Sequence, residues 1–196
     1  MTENAIPSEA KRLPVIDRVT SKYDEVQDRL RFVCAMNDES VISIWVTQRL
    51  LNRFVPILLD WLQEQLDVAD KDQAEAFHTL AQTRAQLAMK ENSPVIAPTN
   101  ASLSDSAEDD QRTPVVLAGR SDEWLATTIT LSKRPQELVL KISEADEVNA
   151  VVLPLPVAAL RQWLCALQML TKRAEWQLEW PTWLVPEQEK TSKNVH

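Results

Sequence analysis

The hydrophobic and polar residues of this 196-residue chain alternate with two different periods. Across residues 30–36 every second residue is apolar or a cysteine, and a similar alternation returns across residues 42–46. A period of two predicts two strands, each with one face in the core. The turn-forming residues 37–40 predict an antiparallel hairpin between them. After Thr47 the leucines follow a spacing of three and four residues, which predicts a helix that is capped by the Thr47 hydroxyl.

The same order of patterns returns in the second half of the chain. Strand-like runs across residues 124–131, 138–142 and 150–155 precede a helix that is predicted from Pro156 to about Arg173. When the two halves are aligned, the apolar positions of the helices correspond as Leu51 with Leu160, Phe54 with Trp163, Val55 with Leu164 and Leu58 with Leu167. The alignment favours a tandem duplication of a β-meander followed by a helix, although two unrelated hairpin–helix units of similar burial also align.

These patterns predict an α+β fold, in which two pseudo-repeated antiparallel β-meander-plus-helix units pack around a shared core, with one extra helix and a disordered acidic linker. Each unit alone has one apolar sheet face and one helix, so two units are expected to pack as a pseudo-dimer. The predicted boundaries are 1–12 (loose terminus), 13–90 (first unit with the extra helix), 91–122 (flexible linker), 123–185 (second unit with a Trp-rich tail) and 186–196 (loose terminus).

The extra helix is predicted from about Asp72 to Lys90. It is rich in Ala, Gln and Glu, and its apolar stripe is thin. We therefore expect it to pack on the outside of the domain or on the surface of a partner. His78 lies on this helix and is expected to be a surface or edge residue.

Composition excludes several classes of ligand site. Gly119 is the only glycine, whereas phosphate-binding loops need several glycines for close backbone approach. The formal charge of −8 disfavours non-specific contact with nucleic acid or anionic membranes. Because the N-terminus lacks the apolar segment of a signal peptide and no apolar run is long enough to span a membrane, the sequence predicts a soluble cytoplasmic protein.

The sequence offers no group of residues that is typical of catalysis or of metal binding. The two histidines and the two cysteines are far apart, and the paired carboxylates fall in predicted turns and linkers. We therefore expect a non-enzymatic protein with no cofactor and no metal site. Cys34 and Cys165 lie in apolar segments and are expected to be buried free thiols, although one disulfide remains an alternative.

Tryptophan is the unusual residue type, with seven copies against one tyrosine. Trp45 and Trp124 point away from the predicted core faces of their strands. Tryptophan gives a large rigid contact area with one polar group, which suits a surface for a protein partner or for self-association. The candidate partner-binding surface consists of Trp45, Trp124, Trp176, Trp180 and Trp183. The alternative is that these rings cover the sheet as part of the fold.

Basic residues on predicted strands, helix and turn give a second interpretation. The candidate nucleic-acid patch consists of Arg29, Arg31, Arg49, Arg53, Lys133 and Arg134. The tandem arrangement is similar, at the level of architecture only, to Whirly-like and PUR-repeat proteins, and that resemblance implies single-stranded nucleic-acid binding by aromatic stacking beside a positive groove. The net acidity of the chain argues against this interpretation, so protein–protein interaction or self-association is the leading one.

Overall fold

A computed structural model describes four stretches of the chain, residues 13–38, 40–66, 71–91 and 123–184. These stretches form a mixed α+β fold with three α-helices and two sheets, which confirms the predicted class. The elements in chain order are β1 (Ile16–Asp24), β2 (Arg29–Met36), β3 (Val41–Val46), α1 (Gln48–Glu64), α2 (Lys71–Glu91), β4 (Glu123–Leu125), β5 (Thr128–Lys133), β6 (Glu137–Ser143), β7 (Ala150–Pro156), α3 (Val157–Arg173) and a 3₁₀ turn (Thr182–Leu184).

The first sheet has the order β1-β2-β3-β4 and contains the predicted hairpin. β2 pairs with β3 in antiparallel register, so that Phe32 lies opposite Ile44 and Cys34 opposite Ile42. Alternate residues of β2 are buried, as its period of two predicts. The strand that precedes it, β1, pairs with β2 and completes a three-stranded meander.

α1 begins where the spacing of the apolar residues changes from two to three and four residues. The Thr47 hydroxyl accepts a hydrogen bond from the Leu50 amide at 3.2 Å, which confirms the predicted N-cap. The helix continues through Pro56, which lies on its exposed side. Seven residues on the opposite side of the helix are buried. Those residues are Leu50, Leu51, Phe54, Val55, Leu58, Trp61 and Leu62.

The second sheet has the order β5-β6-β7, and α3 follows it directly. The strand-like run across residues 124–131 is not one strand. β4 pairs in parallel with β3, whereas β5 pairs in antiparallel fashion with β6 in the other sheet. The alternation of side chains predicts an extended chain in both places, but it carries no information on which strand is the neighbour.

One backbone hydrogen bond and one crossing of the chain join the two sheets. The amide of Val152 in β7 donates to the Pro14 carbonyl just before β1, at 2.9 Å. At β4 the amide of Ala126 donates to the Trp45 carbonyl at 2.9 Å, and the chain then enters β5. A hydrophobic cluster contains residues of both sheets, of α1 and of α3, and no described residue of α2 belongs to it. α1 and α3 are therefore core helices, and α2 packs outside that core.

The predicted linker and the loose termini fall outside the described residues, apart from Glu91, which ends α2. Within the stretches that the structure describes, no helix has the length and apolar character that a membrane crossing needs.

Candidate functional site

The structure gives the five candidate tryptophans different surroundings. Trp45, Trp124 and Trp176 are each 8% exposed, and Trp180 and Trp183 are half-buried. Trp124 lies opposite Ile44 in the sheet and belongs to the core cluster, whereas Trp45 points to the other face. The orientation predicted for Trp124 is therefore wrong. The side of the sheet on which its ring lies is set by the pairing of β4 with β3, and the alternation within residues 124–131 does not show that pairing.

Hydrogen bonds or ring contacts fix the tryptophans of the tail, Trp176, Trp180 and Trp183. The Trp176 indole donates to Asp28 Oδ1 at 2.8 Å, and the Trp180 indole donates to Thr171 Oγ1 at 3.1 Å. The pKa of Asp28 is lowered, first because it accepts this bond from Trp176. These contacts favour a structural role for most of the five rings.

Several cations of the candidate nucleic-acid patch have acidic partners. Lys133 pairs with Glu64 at 2.8 Å, and Arg134 pairs with Glu137 at 2.7 Å. On the outer face of β2, the Arg31 guanidinium lies 5.5 Å over the Trp45 ring. Arg31 also lies 3.9 Å from Glu123, Arg29 is half-buried at the start of β2, and Arg49 and Arg53 are exposed on α1. Neighbouring acids thus neutralise part of the patch.

α2 has two sides with different surroundings. On the side toward α3, Ala74, His78, Gln82 and Ala85 are buried. On the other side, three large apolar residues are about half exposed: Phe77 at 49%, Leu80 at 48% and Leu87 at 54%. α2 therefore presents apolar area to solvent while its buried side contains polar residues.

Hydrogen bonds attach α2 to α3. The Gln82 side-chain amide donates to the Arg161 carbonyl at 3.3 Å, and the Gln162 amide donates to the Ala85 carbonyl at 2.8 Å. The Gln86 amide contacts the Cys165 sulfur at 3.6 Å. This interface is polar, unlike the apolar contacts that α1 and α3 make in the core.

His78, Arg161 and Trp183 form one cluster at this interface, in which His78 and Arg161 are buried and Trp183 is half-buried. The His78 ring stacks on Trp183 with centroids 4.6 Å apart and planes 11° apart. Arg161 Nη2 lies 3.0 Å from His78 Nδ1, and the Arg161 guanidinium lies 5.2 Å over the Trp183 ring. Burial, followed by the charge of Arg161, lowers the pKa of His78 to about 4. Neutral His78 therefore accepts a hydrogen bond from Arg161 at Nδ1.

Arg161 is a buried cation whose charge the described residues do not neutralise. The residue is 2% exposed, and its Nε and Nη1 atoms have no hydrogen-bond partner among the described residues. Burial lowers the pKa of its guanidinium to about 10, and no carboxylate of the described residues opposes that shift. A buried charge without a counter-ion is unfavourable, because the lost hydration is not replaced.

A groove of about 690 Å³ connects these features. The exposed side of α2 forms one wall, and the first turns of α3 form the other. The lining residues are Leu66, Phe77, Leu80, Ala81, Arg84, Ala85, Ala88, Val157, Ala158 and Arg161. Among the described residues, this lining is apolar except for two arginines and contains no acidic residue. The groove and its buried cation form the candidate site.

The sequence interpretation missed this site, and His78 is its clearest error. The sequence predicts a surface or edge position for His78, but the residue is 2% exposed. The alanines and glutamines around it form no apolar stripe, so the pattern gave no sign that this side of α2 is covered. A signal did exist in α3, where Arg161 is the only charged residue between Val148 and Thr171.

Cys34 and Cys165 are both free thiols, as predicted. Cys34 is fully buried, and burial raises the pKa of its thiol to about 12. Cys165 is half-buried, and burial raises the pKa of its thiol as well. In the described part of the chain no group of three or more His, Cys, Asp or Glu is placed to hold a metal ion.

No protein-family model, curated protein or solved structure matches the chain. We therefore infer function from the groove and its residues.

Proposed function

We propose that this protein is a non-enzymatic binding protein whose α2/α3 groove receives an amphipathic helix of another protein. The observation that carries the proposal is the exposed apolar side of α2. Phe77, Leu80 and Leu87 are each about half exposed and lie on one wall of the groove or directly beside it. Contiguous exposed apolar area that polar residues flank is typical of an interaction site.

The spacing on α2 favours a helix as the occupant. Phe77, Leu80, Arg84 and Leu87 are separated by three, four and three residues, which is the spacing of the contact positions in a coiled coil. From Phe77 to Leu87 this stripe is about 15 Å long at the α-helical rise. Ala81 and Ala88 lie beside it and line the groove, and such small side chains allow a second helix to approach closely. We call the four residues the α2 contact stripe.

Charge favours a different protein over a second copy of this chain. Arg84 is part of the α2 contact stripe, and Arg161 lies in the same groove. If the stripes of two copies faced each other, two sets of these cations would share one interface, and none of the described lining residues would supply a carboxylate to it. Like charges in that position are unfavourable, so the groove suits a partner that supplies acidic residues.

Site-specific photo-crosslinking tests the proposal in the full chain in its host cell. With the photoreactive residue at Leu80, we expect a discrete adduct whose crosslinked segment lies in an amphipathic helix of another protein. Phe77→Asp should remove that adduct. The matched control places the photoreactive residue at Val26, which is 97% exposed in the β1–β2 turn. The same adduct from Val26, or an adduct between two copies of this chain, contradicts the proposal.

Single-stranded nucleic-acid binding is a second proposal, which one contact favours. Arg31 over Trp45 is a cation–aromatic pair of the kind that such proteins use beside stacked bases. However, the Trp45 ring is only 8% exposed, and Glu64, Glu123 and Glu137 lie beside cations of the patch. The groove therefore has the stronger support.

A further inference from the structure

We propose that Arg161 binds a carboxylate of the docked helix, so that the partner carries an Asp or Glu among its apolar contact residues. This inference rests on the proposed function. It names the chemistry that selects the partner, whereas the apolar stripe alone accepts many amphipathic helices.

The first support is the hydrogen-bonding state of the guanidinium. Of its three nitrogen atoms, only Nη2 has a partner, the neutral His78 ring. Nε and Nη1 keep N–H groups that no described residue accepts. Buried N–H donors are paired in nearly all folded proteins, so two such donors on one side chain point to an acceptor from outside.

The second support is the missing counter-charge. The groups that contact Arg161 through its guanidinium are an imidazole and an indole ring, both neutral. Gln82 Oε1 is also buried and unpaired, but an amide oxygen satisfies an N–H group without neutralising the charge. A carboxylate does both, because it accepts charge-assisted hydrogen bonds and carries the opposite charge.

The third support is position. Arg161 lines the groove together with Arg84, and the remaining lining residues are apolar. Trp183 contacts the guanidinium with its ring face at 5.2 Å, and His78 contacts it through the bond at 3.0 Å. We assign His78 and Trp183 as positioning residues, since neither lines the groove.

The test uses the full chain and synthetic three-heptad peptides with blocked ends. Each peptide has Leu at the coiled-coil contact positions and one Glu, and the position of this Glu differs from peptide to peptide. For every Glu peptide, a matched peptide has Gln at the same position. Affinity is measured by fluorescence anisotropy. For at least one Glu position, we expect the Glu peptide to bind roughly 30-fold tighter than its Gln counterpart, as for a buried interfacial charge pair.

Variants show whether Arg161 is the cause. Arg161→Met should remove the preference for Glu over Gln, and Arg134→Met, the matched control in the β5–β6 turn outside the groove, should retain it. Since Arg161→Met could unfold the chain, thermal melting accompanies each measurement. The Glu-to-Gln comparison on the unaltered protein stands independently of any variant.

The outcomes separate the two proposals. If Glu and Gln peptides bind equally and binding still needs the α2 contact stripe, the Arg161 proposal is wrong and helix docking stands. If no peptide binds, both are wrong. If dodecanoate binds and no peptide does, the groove is a site for a small apolar carboxylate, which also overturns the helical partner.

Discussion

Phe54 of α1 and Trp163 of α3 stack against each other, with ring centroids 6.2 Å apart and planes 15° apart. These two residues occupy corresponding positions when the two halves of the chain are aligned. In a two-fold arrangement, corresponding residues near the axis contact each other. The stacking therefore supports the proposal that the chain is a tandem duplication packed as a pseudo-dimer.

Truncation of the central ring should destabilise the protein strongly. Trp163 is fully buried, it contacts Phe54 and Phe32, and its indole donates to Ser21 Oγ at 3.1 Å. Trp163→Ala should lower the free energy of unfolding by about 3–5 kcal/mol, because it leaves a cavity and an unpaired hydroxyl. Urea unfolding measures this change. Val26→Ala should change stability by less than about 0.5 kcal/mol; a similar small effect at Trp163 would argue against this core.

Residues 30–66 show how much of the fold the sequence predicts. The alternation across β2, the turn and the Thr47 N-cap are local features, and each predicted element is present. Neighbours across the chain are not local. The pairing of β4 with β3, which carries Trp124 into the core, depends on a strand contact that the spacing within residues 123–131 does not contain.

The candidate site was predictable only in part, for a related reason. The thin apolar stripe of residues 72–90 correctly predicts a helix outside the core. However, the contacts that bury His78 and Arg161 are polar contacts between α2 and α3, so hydrophobic periodicity gives no signal for them. A single charged residue in the apolar segment of α3 was the only available sign.

Stability should fall as the pH falls below the usual pKa of histidine. The pKa of His78 is 6.5 when unperturbed and about 4 in the folded protein, where burial and then Arg161 disfavour its charged form. At a pH between these two pKa values, His78 is protonated in the unfolded chain and neutral in the folded chain. The free energy of unfolding therefore decreases from about pH 7 to pH 4, by up to about 3 kcal/mol from this residue.

Urea unfolding of the parent protein and of His78→Gln over this pH range measures that decrease. The variant should show a weaker dependence on pH, whatever its stability at neutral pH. Arg161 is unchanged in the variant, as is Glu75, whose carboxylate accepts a hydrogen bond from Thr182 beside Trp183. The lowered pKa of Asp28 and of Asp38 contributes equally to both proteins. Parallel curves for the two proteins contradict the assigned state of His78.

The two thiols should report different motions. Cys34 is fully buried in the core, whereas Cys165 is half-buried where Gln86 of α2 contacts α3. Because the attachment of α2 is polar and outside the core cluster, we expect α2 to open locally more often than the whole protein unfolds. Labelling of Cys34→Ser with a thiol reagent in native buffer should be faster than labelling of Cys165→Ser. Equal rates that rise together with urea indicate that α2 unfolds only with the core.

Single-stranded oligonucleotides should not bind appreciably at physiological salt. Lys133 and Arg134 have acidic partners, and the chain carries a net charge of −8. Anisotropy with labelled DNA and RNA of mixed sequence checks this. Micromolar affinity that depends steeply on salt and that Arg31→Ala reduces would support single-stranded nucleic-acid binding instead.

The most direct test of helix docking compares two double variants that add the same charge at exposed apolar positions. Phe77→Asp with Leu80→Asp alters the α2 contact stripe, whereas Val26→Asp with Val148→Asp alters exposed turns on the sheets. The measurement is the affinity for the best Leu-and-Glu peptide, with melting temperatures to establish that both proteins fold. We expect the stripe variant to lose roughly 30-fold or more in affinity and the turn variant to keep the parent value. Equal affinities for the two variants contradict the docking of a partner helix in the α2/α3 groove.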